Sequence, residues 1–400
     1  MVRISKNFLI SGTFLTLILS SIASNFISIF SYVDELILCC SLVLFLISFS
    51  RNKKNNYFEV LFSLLIFLIY VIGFFSNLLS PFFVSYSAIA LDCIQTLKFF
   101  LFFLVMYHFS NASTIHYMIE KFEKISKLLL IIFLTLVVIN QLFNIGLSEG
   151  ERYGIKSFNF FYSFAGDFGF LVIFFFSLII ISRYKQKTIY LLICLILLLS
   201  TTKFQILDFI VLFIMFTYLV KNSKNMVILS PATCSISILM LWIVGKSQIN
   251  DYFLNQDHYS PRKIFLEYAI DIAKRHFPFG LGFGSYGSDA ASKFYSSVYV
   301  FYGFGNLYAL GPQGGALNDN YFASVLGQFG WLGLFILVGI FILMLIKCLS
   351  FSNDGNVKAL CLSLILVFVI AGFGSGTVRS AVGMLLFGLL GILFASQEQH

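Results

Sequence analysis

Residues 318–346 read NDNYFASVLGQFGWLGLFILVGIFILMLI. Three polar residues, Asn318-Asp319-Asn320, give way at once to an apolar run that carries no charge as far as Ile346. About twenty apolar residues are what an α-helix needs to cross hydrocarbon. Similar runs recur from end to end of the 400-residue chain, which is 59% hydrophobic and 11% charged; soluble domains carry about 25% charged residues. The runs are too long and too uniformly apolar for barrel strands, and a backbone in lipid must satisfy its own hydrogen bonds. The expected fold is therefore an all-α polytopic membrane protein, residues 1–400 forming one integral domain.

Twelve spans are expected, at 8–30, 32–50, 57–76, 87–108, 126–146, 159–182, 188–202, 204–220, 226–245, 321–346, 359–373 and 380–395. The first run has no small-residue cleavage site and reads as a retained span rather than a signal peptide. One set of connectors holds Arg3/Lys6, Arg51/Lys53/Lys54, Lys121/Lys124/Lys127, Arg183/Lys185/Lys187, Lys221/Lys224 and Lys347/Lys358, which is fifteen of the 26 lysines and arginines. The positive-inside rule makes that side cytoplasmic, with both termini inside. The seven cysteines lie in or beside apolar runs with no CxxC spacing, and read as small apolar filler.

Outside the cytoplasm this leaves one long loop, 246–320, and four shorter ones. Together they carry Arg152, Lys156, Lys203, Lys246, Arg262, Lys263, Lys274, Arg275, Lys293 and Arg379. Basic residues are normally sparse on that face, so they either gather around an anionic ligand or anchor to headgroups one by one. In the long loop, Ser260-Pro261-Arg262-Lys263 has the form of a helix start. Ile264, Phe265, Tyr268, Ala269 and Ile272 fall on one stripe of that helix, which suits an amphipathic helix lying in the membrane interface. Arg262 sits in its first turn, where free N–H groups favour phosphate and a guanidinium adds a bidentate grip. It could equally balance Glu267 on the surface. Phe277-Pro278 ends the helix.

The run Phe279-Gly280-Leu281-Gly282-Phe283-Gly284-Ser285-Tyr286-Gly287 follows neither a strand nor a dinucleotide-binding unit, so its glycines suit tight turns and close packing. The aromatics after it, including Tyr299, Phe304 and Tyr308, suit either sugar stacking or an interfacial belt. Asp319 can cap the helix that follows or take a proton from a hydroxyl. No HExxH, P-loop or similar motif implies a metal or nucleotide, and Glu149/Glu151 lie too close together to act as a glycosidase pair. The intramembrane charges Asp92, Lys98, Asp167 and Asp208 need partners, and six-residue spacing keeps Asp92 and Lys98 from facing each other. A transporter would be expected to show an internal repeat, and none is visible.

The order Arg262, then Phe277-Pro278 and the glycine run, then Asp319-Asn320-Tyr321-Phe322, then Gly327-Gln328-Phe329-Gly330-Trp331-Leu332-Gly333 resembles the O-antigen polymerase (Wzy) and O-antigen ligase superfamily. The resemblance implies a GT-C-like fold of about 12 transmembrane helices with one long extracytoplasmic loop. It also implies metal-independent glycosyl transfer from undecaprenyl-diphosphate-linked glycans at the bacterial inner membrane. A chain-length regulator and a flippase would be partners; no cofactor and no nucleic acid would be. By position, Arg262 matches the Arg that holds the diphosphate and Asp319 the acceptor-activating residue. Lys203, in Ser200-Thr201-Thr202-Lys203, stands where many members have Arg, so a point charge replaces a bidentate fork. Arg152 and Arg379 are supporting cations, and Arg275, Asn320 and Tyr321 complete the candidate substrate-binding set. Ligases tend to have His at the position of Asp319, which favours polymerase over ligase. The acceptor sugars would lie in the aromatic cleft under the long loop.

Overall fold

The computed structural model describes residues 5–51, 56–152, 154–182, 184–222, 260–351 and 354–398, together with Ser235. The chain is helical, with one short antiparallel hairpin, β1 (Ser148–Arg152) and β2 (Ile155–Phe158). The helices before it are α1 (Lys6–Ala23), α2 (Val33–Arg51), α3 (Tyr57–Leu79), α4 (Tyr86–Gln95), α5 (Lys98–Phe109) and α6 (Ala112–Phe143). After it come α7 (Ala165–Ile181), α8 (Lys187–Ser200), α9 (Phe204–Asn222) and α10 (Pro261–Arg275). The short α11 (Asp289–Lys293) and α12 (Ser297–Phe301) lead to α13 (Tyr321–Leu349), α14 (Gly355–Gly374) and α15 (Ala381–Gln397).

Seven helices among the described residues are long and apolar enough to cross a membrane, or eight if the bent pair α4–α5 is one span. That pair, read from the sequence as one span at 87–108, bends by 46°. The expected spans at 159–182, 188–202 and 380–395 correspond to α7, α8 and α15, each 17 residues or shorter. Helix α6 begins at Ala112, well before the expected 126, so Lys121, Lys124 and Lys127 ride on a helix instead of a connector. Asn111 caps it by accepting from the Thr114 N–H at 3.0 Å, and Thr114 returns the bond, closing a capping box. The expected span 226–245 lies outside the described residues except for Ser235. The core runs along α5 and α15, where Gly391 lets the helices close: a Cβ there would stand 2.5 Å from the Phe103 carbonyl oxygen.

The part of the long loop from 260 to 320 folds onto the bundle. Helix α13 is broken at Gly330, whose φ of 65° and ψ of −163° suit only glycine. The break leaves carbonyls of the first segment without helical donors, and the glycine run supplies them. Leu281 N–H donates to Gly327 O at 2.9 Å and Gly282 N–H to Gln328 O at 2.7 Å, while Leu332 N–H, beyond the break, donates to Pro278 O at 3.2 Å. Asn77 on α3 clamps the same run through both polar atoms of Phe283, at 2.9 and 3.0 Å. Asp92 completes the anchorage. Fully buried, its carboxylate accepts from Gly284 N–H (2.5 Å), Gln328 (2.6 Å) and Thr96 (2.5 Å).

Helix α10 does not expose its apolar stripe to an interface. Phe265, Ala269 and Ile272 are buried in a small second core with Tyr286, Tyr299, Phe304, Ala323 and Leu326. Phe265 and Tyr286 stack at 4.4 Å between ring centroids, and the Tyr286 hydroxyl donates to Phe265 O at 2.5 Å. Of the aromatics expected to line a cleft for sugars, Tyr299 and Phe304 are taken up by this core, while Tyr308 stays exposed. Ser260 precedes α10 without a side-chain cap bond, and Pro261 occupies the first turn.

Candidate active site

A cavity of about 870 Å³ opens where α1 ends and α2, α7, α9 and α10 begin. It gathers Arg152 from the hairpin, Lys203 from the α8–α9 turn, Arg262 from α10, Asp319 from the polar knot and Arg379 from the turn before α15. Five of the eight sequence-predicted site residues thus line one cavity. The cavity is not simply cationic. Asp34, Glu35, Glu149, Asp167, Asp208, Asp289 and Asp319 line it alongside Lys98, Arg152, Lys203, Arg262, Lys293 and Arg379. Its formal charges are close to balance, and three of the six cations, Lys98, Lys203 and Arg262, are held by carboxylates.

The polar knot divides its three residues among three tasks. The Asn318 side chain donates to Asp289 at 2.5 Å, and its carbonyl accepts from Arg379 at 2.7 Å. Asp319 Oδ2 accepts from Arg262 Nη2 at 2.9 Å. Asn320 caps α13 by accepting from the Ala323 N–H at 2.9 Å. The cap is thus Asn320 and not Asp319, which leaves the Asp319 carboxylate facing the cavity. Arg262 lies in the first turn of α10, so the pair draws the start of that helix against the knot. Both side chains are about one quarter exposed.

Lys203 forms an ion pair with Glu149. Glu149 is bound at its other oxygen too, where it accepts from the Ala165 N–H at 2.7 Å and so caps α7. The Ser157 hydroxyl ties the hairpin to Thr201 O at 2.6 Å, fixing the turn that carries Lys203. Burial pushes the Glu149 carboxyl up, but the Ala165 N–H, Lys203 and Arg152 outweigh it and hold the group below its ordinary value. From the sequence Glu149 has no partner. Its role appears only when the hairpin folds over the α8–α9 turn.

Arg379 is 2% exposed. It donates to Gly287 O at 2.9 Å and to Asn318 O at 2.7 Å, so two of its nitrogens brace the loop. Its Nε is buried and without a hydrogen-bond partner among the described residues. Arg379 therefore acts first as a strut for the knot. Arg152 is exposed at the cavity rim.

Three predicted residues lie away from the cavity wall. Arg275 is at the far end of α10, 60% exposed and paired with Asp271 at 2.8 Å. That pairing raises its pKa. Asn320 is fully buried as a cap, and Tyr321 is buried with its hydroxyl 3.3 Å from Thr96 O. These two residues shape the first turn of α13 behind the site.

Of the intramembrane charges, Lys98 and Asp92 find partners distant in sequence. Lys98 donates to Asp34 at 2.5 Å and lies 3.5 Å from Glu35, across a separation of more than 60 residues in sequence. Asp34 and Glu35 are site residues that sequence reasoning missed; two acids opening an apolar run were the available signal. No group of three or more His, Cys, Asp or Glu arranged for a metal ion occurs among the described residues. A second, smaller cavity, about 470 Å³, lies at the other end of α1, α2, α5 and α15. There His108 bridges Glu59 and Ser48, the latter at 2.8 Å. No protein-family model matches this chain, and a search of curated proteins returns no match.

Proposed function

We propose that this protein joins oligosaccharide units carried on undecaprenyl diphosphate by glycosyl transfer, working on the extracytoplasmic side of the bacterial inner membrane. One observation carries the reading. Arg152, Lys203, Arg262 and Asp319 come from four separate stretches of the chain and line one cavity beside membrane-crossing helices. Sugar transfer from a diphosphate breaks a C1–O bond while negative charge builds on the leaving group. Cations aimed at that charge bind the transition state more tightly than the ground state. A carboxylate on the acceptor side takes the hydroxyl proton as the new C1–O bond forms.

In this scheme Arg262 and Lys203 hold the diphosphate, Arg152 reinforces them from the rim, and Asp319 is the base. Arg379 keeps Asp319 in place through the Asn318 carbonyl. The prenyl tail has exposed apolar helix faces to lie against, on α1, α2 and α3 among others. Basic residues near the opposite ends of the spans support the orientation. A ligase, which would pass the glycan to lipid A core, needs the same donor half-site and differs in the acceptor.

The buried Asp34–Lys98–Glu35 cluster and Asp208 favour a second reading, movement of a lipid-linked sugar through a polar path in the spans. The test is purified protein in lipid nanodiscs with one lipid-linked repeat unit. A ladder of longer glycans supports polymerisation, and transfer only to added lipid A core supports the ligase. Translocation in vesicles without any new glycosidic bond would replace both with transport.

A further inference from the structure

Two ion pairs on the cavity wall hold the very groups the proposed reaction uses. Arg262 is tied to Asp319 across 57 residues of sequence, and Lys203 to Glu149 across 54. In both pairs the side chains are between 18% and 27% exposed. They are therefore open to a ligand in the cavity, yet shielded enough that water and salt screen them weakly. The Asp319 oxygen that accepts from the Arg262 guanidinium at 2.9 Å is occupied, and so is not open to an acceptor hydroxyl. A cation held by a carboxylate is likewise masked toward a weak anion. A diphosphate carries more charge and more acceptor oxygens than a carboxylate, and guanidinium binds it in bidentate fashion.

We propose that Asp319 and Glu149 are resident counter-ions that the donor's diphosphate displaces, so that Asp319 is released as a base only once the donor is seated. This rests on reading the cavity as the site of glycosyl transfer from a diphosphate carrier. The exchange sets an order. The diphosphate takes Arg262 and Lys203, Asp319 turns to the acceptor, and the acceptor hydroxyl proton passes to Asp319. The acceptor oxygen then forms its bond to C1 as the C1–O bond to the carrier breaks, leaving its electron pair on the diphosphate. The exchange also selects the substrate class: the resident carboxylates outcompete a single monoanion and lose to a diphosphate. Glu149 is a positioning residue in this scheme, acting through Lys203.

The test is binding of inorganic pyrophosphate, inorganic phosphate and undecaprenyl diphosphate to the full chain in nanodiscs, by calorimetry. The variants are Glu149→Gln, Asp319→Asn and, as a control, Asp289→Asn. Gln keeps an oxygen for the Ala165 N–H and removes only the charge. Asp289 lines the same cavity but accepts from Asn318. Displacement predicts that Glu149→Gln and Asp319→Asn each tighten diphosphate binding about tenfold, while Asp289→Asn changes it about twofold or less. It also predicts that phosphate binds the unaltered protein far more weakly than pyrophosphate. The ligand that binds more tightly of the two diphosphates identifies the source, free or lipid-borne, and the ratios are read on that ligand. Equal tightening in all three variants would reduce the effect to a general field and overturn the exchange, as would unchanged or weaker binding in the first two. No diphosphate binding to the unaltered protein would remove the glycosyl-transfer reading itself. Either of the first two variants, folded, decides the matter.

Discussion

Asp92 and Asp319 are both carboxylates at the junction of the long loop and the bundle, and they do opposite things. Asp92 is fully buried and takes three hydrogen bonds, from Gly284, Thr96 and Gln328. Its bonds to Gly284 and Gln328 fix the loop and α13 to α4, while Thr96 holds the carboxylate in place. Asp319 accepts from a cation, the Arg262 guanidinium, and its side chain is 21% exposed on a cavity wall. The first is closed to any substrate, and the second can change partners. Acid groups in a membrane protein thus separate by what surrounds them, neutral donors locked by helices or a movable cation beside open space.

Asp92→Ala gives the largest expected effect. It strands buried donors on Gly284 and Gln328, at a cost of about 3 kcal/mol or more. The protein should melt at lower temperature in detergent, and protease should cut within 260–320. Glycan extension should vanish with the fold. Next comes Arg262→Ala, expected to lower the rate of extension by about 10²–10³. Its melting temperature should fall little, since a part-exposed pair is worth about 1 kcal/mol at most. Arg262→Lys should recover little of the rate, because a point charge does not reproduce the fork. Full recovery would make Arg262 a generic charge.

Asp319→Asn should slow transfer by about 10²–10⁴ although donor binding tightens. A melting loss as large as that of Asp92→Ala would erase the contrast between the two carboxylates. A smaller effect concerns Glu149, whose pKa is held below the ordinary carboxylate value. Its contribution to the folded hairpin is fully present above the ordinary value of about 4.3 and is lost as pH falls through the depressed one. Hydrogen exchange at the Ala165 N–H should therefore stay slow at neutral pH and quicken in acid. Arg275→Ala should leave both rate and melting temperature unchanged, since its partner Asp271 is on the same exposed helix surface.

Hydrophobic length reveals the long apolar helices, seven or eight of them among the described residues, but not the bend between α4 and α5 or the early start of α6. The sequence singles out Arg262 and Asp319 through the order of motifs, and Lys203, Arg152 and Arg379 as basic residues in connectors on the face where such residues are sparse. It does not reveal that Gly330 breaks α13, because a broken and a continuous apolar helix have the same hydropathy. The break is defined by the carbonyls of Gly327 and Gln328 meeting N–H groups of Leu281 and Gly282, nearly fifty residues upstream. Nor does it reveal Glu149 beside Lys203 or Asp34 beside Lys98, since each pair forms only after intervening helices pack. The aromatic residues of the loop mislead for a related reason. Tyr299 and Phe304 look like a sugar platform in sequence, but they fill the core that α10 needs.

The most direct measurement is a structure by electron cryomicroscopy of the protein in nanodiscs with bound undecaprenyl diphosphate. The phosphates are predicted to lie within hydrogen-bond distance of both Arg262 and Lys203, with Asp319 turned away from Arg262. Phosphates seated instead at the opposite end of α1 and α15, near Lys6 and Glu398, would contradict the account.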